Sequence, residues 1–325
     1  MQVLITGIAG FIGSHLGEKL ITTGRTVIGI DNFDPFYPRR FKESNLDTLK
    51  TSDHFSFYEA DLKDQEAVTN VFENHEIDVV IHLAAKAGVR PSIDYVKDYY
   101  DVNVNGTVIL LECMRKRDVK KLIFASSSSV YGNNLKVPFS ESDTVDYPIS
   151  PYAASKKSGE LLCHVYSHLY NFDITCLRFF TVFGPRQRPD LAIHKFTKLI
   201  DEHRPLPIYG DGSTARDYTY IDDIIQGIIC ALNKLDGFRI YNLGESRIIS
   251  LNELIRAIET ALDKRAILDQ HPLQPGDVQK TYADITKARN ELGYDPKYDL
   301  DAGIQRFVSW YREIKSIYTN KKLNF

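Results

Sequence analysis

Gly7-Ile8-Ala9-Gly10-Phe11-Ile12-Gly13 stands between a short apolar run, Val3 to Ile5, and a stretch with apolar residues at helical spacing, Phe11 to Thr23. Three glycines in that place permit a tight strand-to-helix turn, let backbone approach a ligand, and seat a helix whose N-terminal amides attract anions. A dinucleotide pyrophosphate needs this context, although an ordinary turn between strand and helix also satisfies it. Gly7, Gly10, Phe11, Ile12 and Gly13 are accordingly the first candidates for cofactor binding. Gly24 follows as a C-cap for the helix.

Outward from this loop the alternation continues. Thr26 to Ile30, Phe55 to Tyr58, Val79 to Leu83, Leu122 to Ala125 and Ile174 to Leu177 read as strands. Asp64 to Asn74, Val102 to Arg117 and Tyr152 to Tyr170 read as helices between them. This pattern predicts a doubly wound α/β fold, a parallel Rossmann sheet covered on both faces, with ligands outside the carboxyl ends of the strands. After Thr181 the rhythm loosens, with helical segments at Leu191 to Glu202, Asp222 to Asn233, Leu251 to Leu262 and Asp301 to Ile314. We read residues 1–180 as a cofactor-binding domain and 181–325 as a smaller, mixed α/β, mainly substrate-binding domain. The chain is expected to return to the large sheet near 219–243, where Arg239 to Leu243 follows a long apolar helix. There is no internal repeat, and Asn320 to Phe325 reads as a polar, frayed end.

A chain of 325 residues, 43% hydrophobic, can bury a large core. Its 40 Lys and Arg against 43 Asp and Glu leave a formal charge of −3, which argues against nucleic acid as a partner. Cys113, Cys163, Cys176 and Cys230 lie far apart, so neither a disulfide framework nor a metal cluster is expected, and a reducing cytoplasm fits. No apolar run approaches the ~20 residues that span a bilayer, and no signal-peptide pattern follows Met1, so no membrane partner is expected.

The candidate chemistry lies at strand ends. Asp31, directly after the second strand, can accept hydrogen bonds from adenosine ribose hydroxyls and repel a 2′-phosphate, favouring NAD; as Asp31-Asn32 it also suits a simple turn. Arg39 and Arg40 lie near enough to leave a phosphate preference open. Asp61-Leu62 and Leu83-Ala84-Ala85-Lys86 leave the third and fourth strands where a cofactor should lie. Ser126-Ser127-Ser128-Ser129 ends the fifth strand in hydroxyls, able to hold a substrate alcohol or simply to cap a helix. Tyr152 and Lys156 sit four residues apart on one helical face. A free phenol has a pKa of about 10 and needs a neighbouring cation to act as a base at neutral pH, which Lys156 can supply. A merely solvated helix face would carry the same two residues. Neither Gly-x-Ser-x-Gly nor His-Glu-x-x-His occurs.

Together, the glycine loop, Asp31, the serine run and Tyr-x-x-x-Lys resemble the extended short-chain dehydrogenase/reductase superfamily, in particular its nucleotide-sugar epimerases and dehydratases. The resemblance covers nearly the whole chain. It implies an NAD-dependent isomerase in which Tyr152 transfers the proton, Lys156 supports it and reaches the nicotinamide ribose, and Ser127 orients the reacting alcohol. Dehydratases of this group usually carry Asp-Glu, and decarboxylases a Glu, where this chain has Ser128 and Ser129, so simple epimerisation is expected.

Lys86-Ala87-Gly88-Val89-Arg90 and the stretch from Arg178 to Asp190 are similar to those of UDP-glucuronate 4-epimerases. The resemblance implies that Arg90, Arg186, Arg188, Ser128, Ser129 and Thr181 serve a substrate carrying two phosphates and a carboxylate. Arginines or neutral hydroxyls can meet the carboxylate, the arginines otherwise serving phosphate or interdomain contacts. Tyr209 and Arg216 also match by position, Arg216 as diphosphate ligand, and Asp277 as a ribose ligand of the nucleotide. The expected reaction is C4 inversion of a UDP-hexuronate through a 4-ketosugar, in a cytoplasmic homodimer. A 4-epimerase of UDP-glucose or UDP-N-acetylglucosamine, or a non-catalytic NAD-binding sensor, would share much of this set.

Overall fold

The computed structural model describes residues 1–272 and 280–319. Strands β1 Gln2–Thr6, β2 Thr26–Asp31, β3 Phe55–Glu59, β4 Val79–His82, β5 Lys121–Ser127 and β6 Asp173–Phe179 alternate with helices. These helices are α1 Phe11–Thr22, α2 Arg39–Asn45, α3 Gln65–Asn74, α4 Val89–Asp94, α5 Val96–Tyr100, α6 Gly106–Lys116 and α7 Pro151–Tyr170. The second half holds β7 Thr181–Phe183, α8 Ala192–Asp201, β8 Pro205–Tyr209, β9 Ala215–Arg216, β10 Tyr218–Tyr220, α9 Ile221–Leu232, β11 Phe238–Leu243, β12 Ile249–Ser250, α10 Leu251–Leu262, β13 Ile267–His271 and α11 Leu300–Thr319.

Seven strands form one parallel sheet in the order β11-β6-β5-β4-β1-β2-β3. The direction of winding reverses between β1 and β4, which opens a crevice at their carboxyl ends. Strand β11 pairs with β6 from Phe238↔Ile174 to Leu243↔Phe179, so the chain does rejoin the large sheet after α9. Three two-stranded pairs, β7 with β10, β9 with β12 and β8 with β13, accompany the helices of the second half.

Strand alternation divides the core between the two faces of the sheet. Leu4, Ile28, Val80, Leu122 and Ile174 pack under Val68, Val71, Leu110, Met114 and Cys163 of α3, α6 and α7. Val3, Ile5, Val27, Ile81 and Ile123 face Leu16 and Leu20 of α1 and Ile224 and Ile228 of α9, a core that continues into the second half.

The segment expected as one helix from Val102 to Arg117 instead opens with a π-turn, Asp101–Asn105, before α6. Within this stretch the Thr107 hydroxyl donates to the Asn103 carbonyl at 2.6 Å. Helix α7 starts where Ser150 accepts from the Ala153 amide at 3.1 Å with Pro151 in the first turn, and it ends on left-handed Asn171. That start places Tyr152 in the first turn and Lys156 one turn further. Asn320 to Phe325, read as a frayed end, lies outside the described residues.

Candidate active site

The glycine loop is shaped by close approach. Gly7 has φ +74°, its amide donates to the Ile30 carbonyl at 2.7 Å, and a Cβ there would stand 2.8 Å from the Ala84 nitrogen. A Cβ on Gly13 would stand 2.2 Å from the Gly7 carbonyl oxygen, so the first turn of α1 rests on the loop. No side chain caps α1 at Gly10, and the amides of its first turn suit an anion.

Asp31 closes the loop from the end of β2. Its Oδ2 accepts from the Ala9 amide at 3.1 Å and its Oδ1 from Phe33 at 2.8 Å. Burial raises its pKa, opposed first by the charge of Lys42. Each carboxylate oxygen accepts more than one hydrogen bond, so acceptor capacity remains for ribose hydroxyls. Arg39 is held by Glu43 at 2.8 Å and Glu59 at 2.7 Å, which commits its guanidinium to carboxylates rather than to a 2′-phosphate. Asn32 donates to Asp61 at 3.0 Å, while the Leu62 and Phe11 side chains enter the core. Leu83 and Ala85 line the partly buried exit of β4, and the Ala84 amide donates to Thr6 Oγ1 at 3.2 Å. The Lys86 ammonium lies 3.4 Å from Asp34, bridging the exits of β4 and β2. An uncapped helix start beside a buried acceptor is a donor and acceptor set that fits NAD.

The structure brings Tyr152, Ser127 and Lys156 to the neighbouring end of β5. The half-buried Tyr152 side chain lies beside Ser127, and Ser127 Oγ accepts from the Ser129 amide at 3.1 Å. Desolvation raises the Tyr152 pKa, while the neighbouring Ser127 hydroxyl and then the Arg188 charge pull it down. Lys156 donates to the Ala125 carbonyl at 2.7 Å, and burial brings its pKa down to about 8. The Arg188 charge thus also bears on the phenol, a cation that the sequence reading had assigned only to the substrate.

Asn103 was not singled out in the sequence. From the π-turn its carboxamide accepts from the Lys86 amide at 2.8 Å and donates to the Lys86 carbonyl and to Ser155 Oγ, each at 2.9 Å. It therefore ties the β4 exit to the helix that carries Tyr152. Also unforeseen is a buried chain beneath the site: Ser126 donates to Glu160 at 2.6 Å, Glu160 clasps Arg178, and Arg178 reaches Tyr131 at 3.0 Å.

The two arginines of the Arg186–Arg188 turn separate. Arg186, at φ +66°, pairs with Glu18 of α1 at 2.8 Å, whereas Arg188 lies within electrostatic reach of Tyr152 and Tyr99. Ser128 and Ser129 open the short helical turn after β5, and the Thr181 amide donates to the Asp217 carbonyl at 3.1 Å. The Arg90 guanidinium lies 5.8 Å over the Tyr209 ring. Arg216 extends from β9 beside Asp217, whose carboxylate is filled by the amides of Glu245, Ser246 and Ala283. Asp277 lies outside the described residues. Among those residues no group of acidic, His or Cys side chains is arranged to hold a metal, and no helix is long and apolar enough to cross a membrane.

A family model described as GDP-mannose 4,6 dehydratase matches residues 4–307. The chain is 45% identical over 319 residues to a UDP-glucuronate 4-epimerase of Thermodesulfobacterium geofontis (strain OPF15), covering 97% of this chain and 98% of the relative. The Bacillus cereus UDP-glucuronic acid 4-epimerase, solved with UDP-glucuronic acid and NAD, superimposes with a TM-score of 0.91 at 38% identity, covering 97% of this chain and 100% of that one. The Thermotoga maritima UDP-glucose 4-epimerase, solved with UDP-glucose, gives 0.89 at 34%, with 97% and 100% covered. With a tyrosine, a serine and a lysine gathered beside a dinucleotide-type loop, and with these matches along nearly its full length, the chain belongs to the GDP-mannose 4,6-dehydratase family of the extended short-chain dehydrogenase/reductases, among nucleotide-sugar epimerases and dehydratases.

Proposed function

We propose that the protein interconverts UDP-glucuronate and UDP-galacturonate by NAD-dependent inversion at C4. The observation that carries this reading is the Tyr152 phenol set beside Ser127, in a site whose serine segment from Ser126 to Ser129 contains no carboxylic acid. Dehydration or decarboxylation calls for an added acid or base there; inversion does not. NAD, when bound, supplies both the acceptor and the donor of the C4 hydrogen, so no net redox change occurs. Tyr152 takes the C4 hydroxyl proton and later returns it, Ser127 holds that oxygen against the phenol, and Lys156 favours the phenolate. Arg216 anchors the diphosphate while the sugar turns its other face. Arg188, with hydroxyls of Ser128, Ser129 and Thr181, holds the carboxylate; Arg186 serves the contact with α1. In this reading residues 1–180 with the returning β11 hold the cofactor, and 181–325 mainly hold the substrate.

A second copy of the chain is the proposed partner. Leu161, Val165 and Leu169 form an exposed stripe at helical spacing on α7, with Ile93, Tyr95 and Tyr100 exposed on the neighbouring helices α4 and α5 and the turn between them. Sedimentation at twice the chain mass supports this dimer; a single-chain mass removes it. The cytoplasm is the proposed setting, where the four free cysteines stay reduced. A proton NMR time course with UDP-glucuronate and NAD tests the activity. UDP-galacturonate without UDP-pentose is the expected product; conversion of UDP-glucose alone would move the assignment to a neutral-sugar 4-epimerase.

A further inference from the structure

Two residues beyond Arg188, Asp190 takes its guanidinium side-on: Nε lies 3.0 Å from Oδ1 and Nη2 2.8 Å from Oδ2. The guanidinium carbon also lies 4.9 Å over the ring of Phe36, from the loop that follows Asp31. A guanidinium is a rigid plane with five N–H donors. The side-on pair engages one hydrogen on Nε and one on Nη2. Nη1 and the second Nη2 hydrogen remain as an end-on fork that matches another carboxylate. With a ring on one face and a carboxylate on one edge, the direction of that fork is set before substrate arrives. The Arg188 side chain is 17% exposed against 41% for Asp190, so the cation lies deeper than its partner. Its field reaches Tyr152, and both members of the pair act on Tyr37 and Tyr99.

We propose that Asp190 is a positioning residue that aims Arg188 at the carboxylate of the sugar and thereby protects the 4-keto acid from losing carbon dioxide. The inference rests on the reading of Arg188 as carboxylate partner. In the unwanted reaction the C5–C6 bond breaks, its electron pair passes into the C4 carbonyl to give an enolate, carbon dioxide leaves, and C5 is then protonated. That step needs the C5–C6 bond aligned with the carbonyl π system, and a fork fixed in direction holds the carboxylate out of that alignment. A free-swinging arginine binds the same charge without controlling its angle.

The test uses the NAD-loaded full chain with UDP-glucuronate, followed by proton NMR. Asp190→Asn is expected to lower kcat/KM about tenfold and to release decarboxylated product, the UDP-4-ketopentose or, after return of the hydride to C4, the UDP-pentose, beside UDP-galacturonate, while affinity for UDP, which lacks the carboxylate, stays at the wild-type value. Asp190→Glu, which keeps the charge, is expected to recover part of the product fidelity. Wild-type rate and fidelity in Asp190→Asn, or tighter substrate binding with fidelity intact, overturns the role of Asp190. If Arg188→Lys also leaves affinity and product ratio unchanged, the reading of Arg188 falls with it; if Arg188→Lys is impaired, Asp190 alone is removed.

Discussion

The Lys156 ammonium donates a 2.7 Å hydrogen bond to the Ala125 carbonyl, spanning from α7 to the end of β5. It is almost wholly buried over the Phe124 ring, and burial brings its pKa down to about 8. The unfolded chain keeps this proton to near pH 10.5, so between pH 8 and that value the unfolded state binds more protons and stability rises with pH. At pH 7 the folded protein carries the full burden of the buried charge, on the order of 3 kcal/mol. Lys156→Met is therefore expected to abolish turnover yet melt higher than wild type at pH 7, the gap closing toward pH 10. Thermal melts across that range check it; a less stable variant at pH 7 would mean that the Ala125 bond outweighs desolvation.

Tyr152→Phe removes the phenol hydroxyl beside Ser127 while keeping the ring that meets Tyr99 edge-on at 6.2 Å. Turnover is expected to fall by about 10²–10⁴-fold, the usual worth of a positioned acid or base. Bound NAD, read from absorbance after denaturation, should stay at the wild-type level. Full activity in this variant would remove the proposed base.

Much of this site was legible because the fold puts function at strand ends, and strand ends are marked locally. Asp31 ends β2, Ser127 closes β5, and the glycine loop leaves β1, each announced by a short apolar run. The π-turn at Asn103 was not legible, since apolar spacing does not register one widened turn within an otherwise helical stretch. Nor was the division of labour between Arg186 and Arg188: a positive φ at Arg186 sends two nearly adjacent cations to different partners, Glu18 and Asp190. Arg178 sits within an apolar strand and Glu160 within a helix. Their meeting depends on the packing of α7 over β6, which only the assembled sheet reveals.

That meeting carries its own prediction. Arg178 contacts Glu160 through Nε at 2.8 Å and Nη2 at 2.9 Å, with both side chains at most 2% exposed. Glu160→Gln keeps the shape but leaves a buried guanidinium without its counter-charge, at a cost of about 3–5 kcal/mol. Urea denaturation should show a lower midpoint with an unchanged slope. A midpoint within error of wild type would show that the hydrogen bonds, and not the charges, hold this junction.

Two glycines separate steric from conformational demands. A Cβ on Gly13 would lie 2.2 Å from the Gly7 carbonyl oxygen and 2.9 Å from the Ile8 Cα, both backbone atoms of the loop, so Gly13→Ala must push the loop off the helix. Gly24 has open space around it and a φ of +78°, so Gly24→Ala meets only the left-handed penalty of about 1–2 kcal/mol. Both variants are expected to melt lower than wild type, but only Gly13→Ala should lose NAD, because only there do the amides at the start of α1 shift relative to Asp31. Calorimetric titration of NAD into each variant reads the difference. Wild-type NAD affinity in Gly13→Ala would mean that the loop does not cradle the pyrophosphate, whatever its resemblance to loops that do.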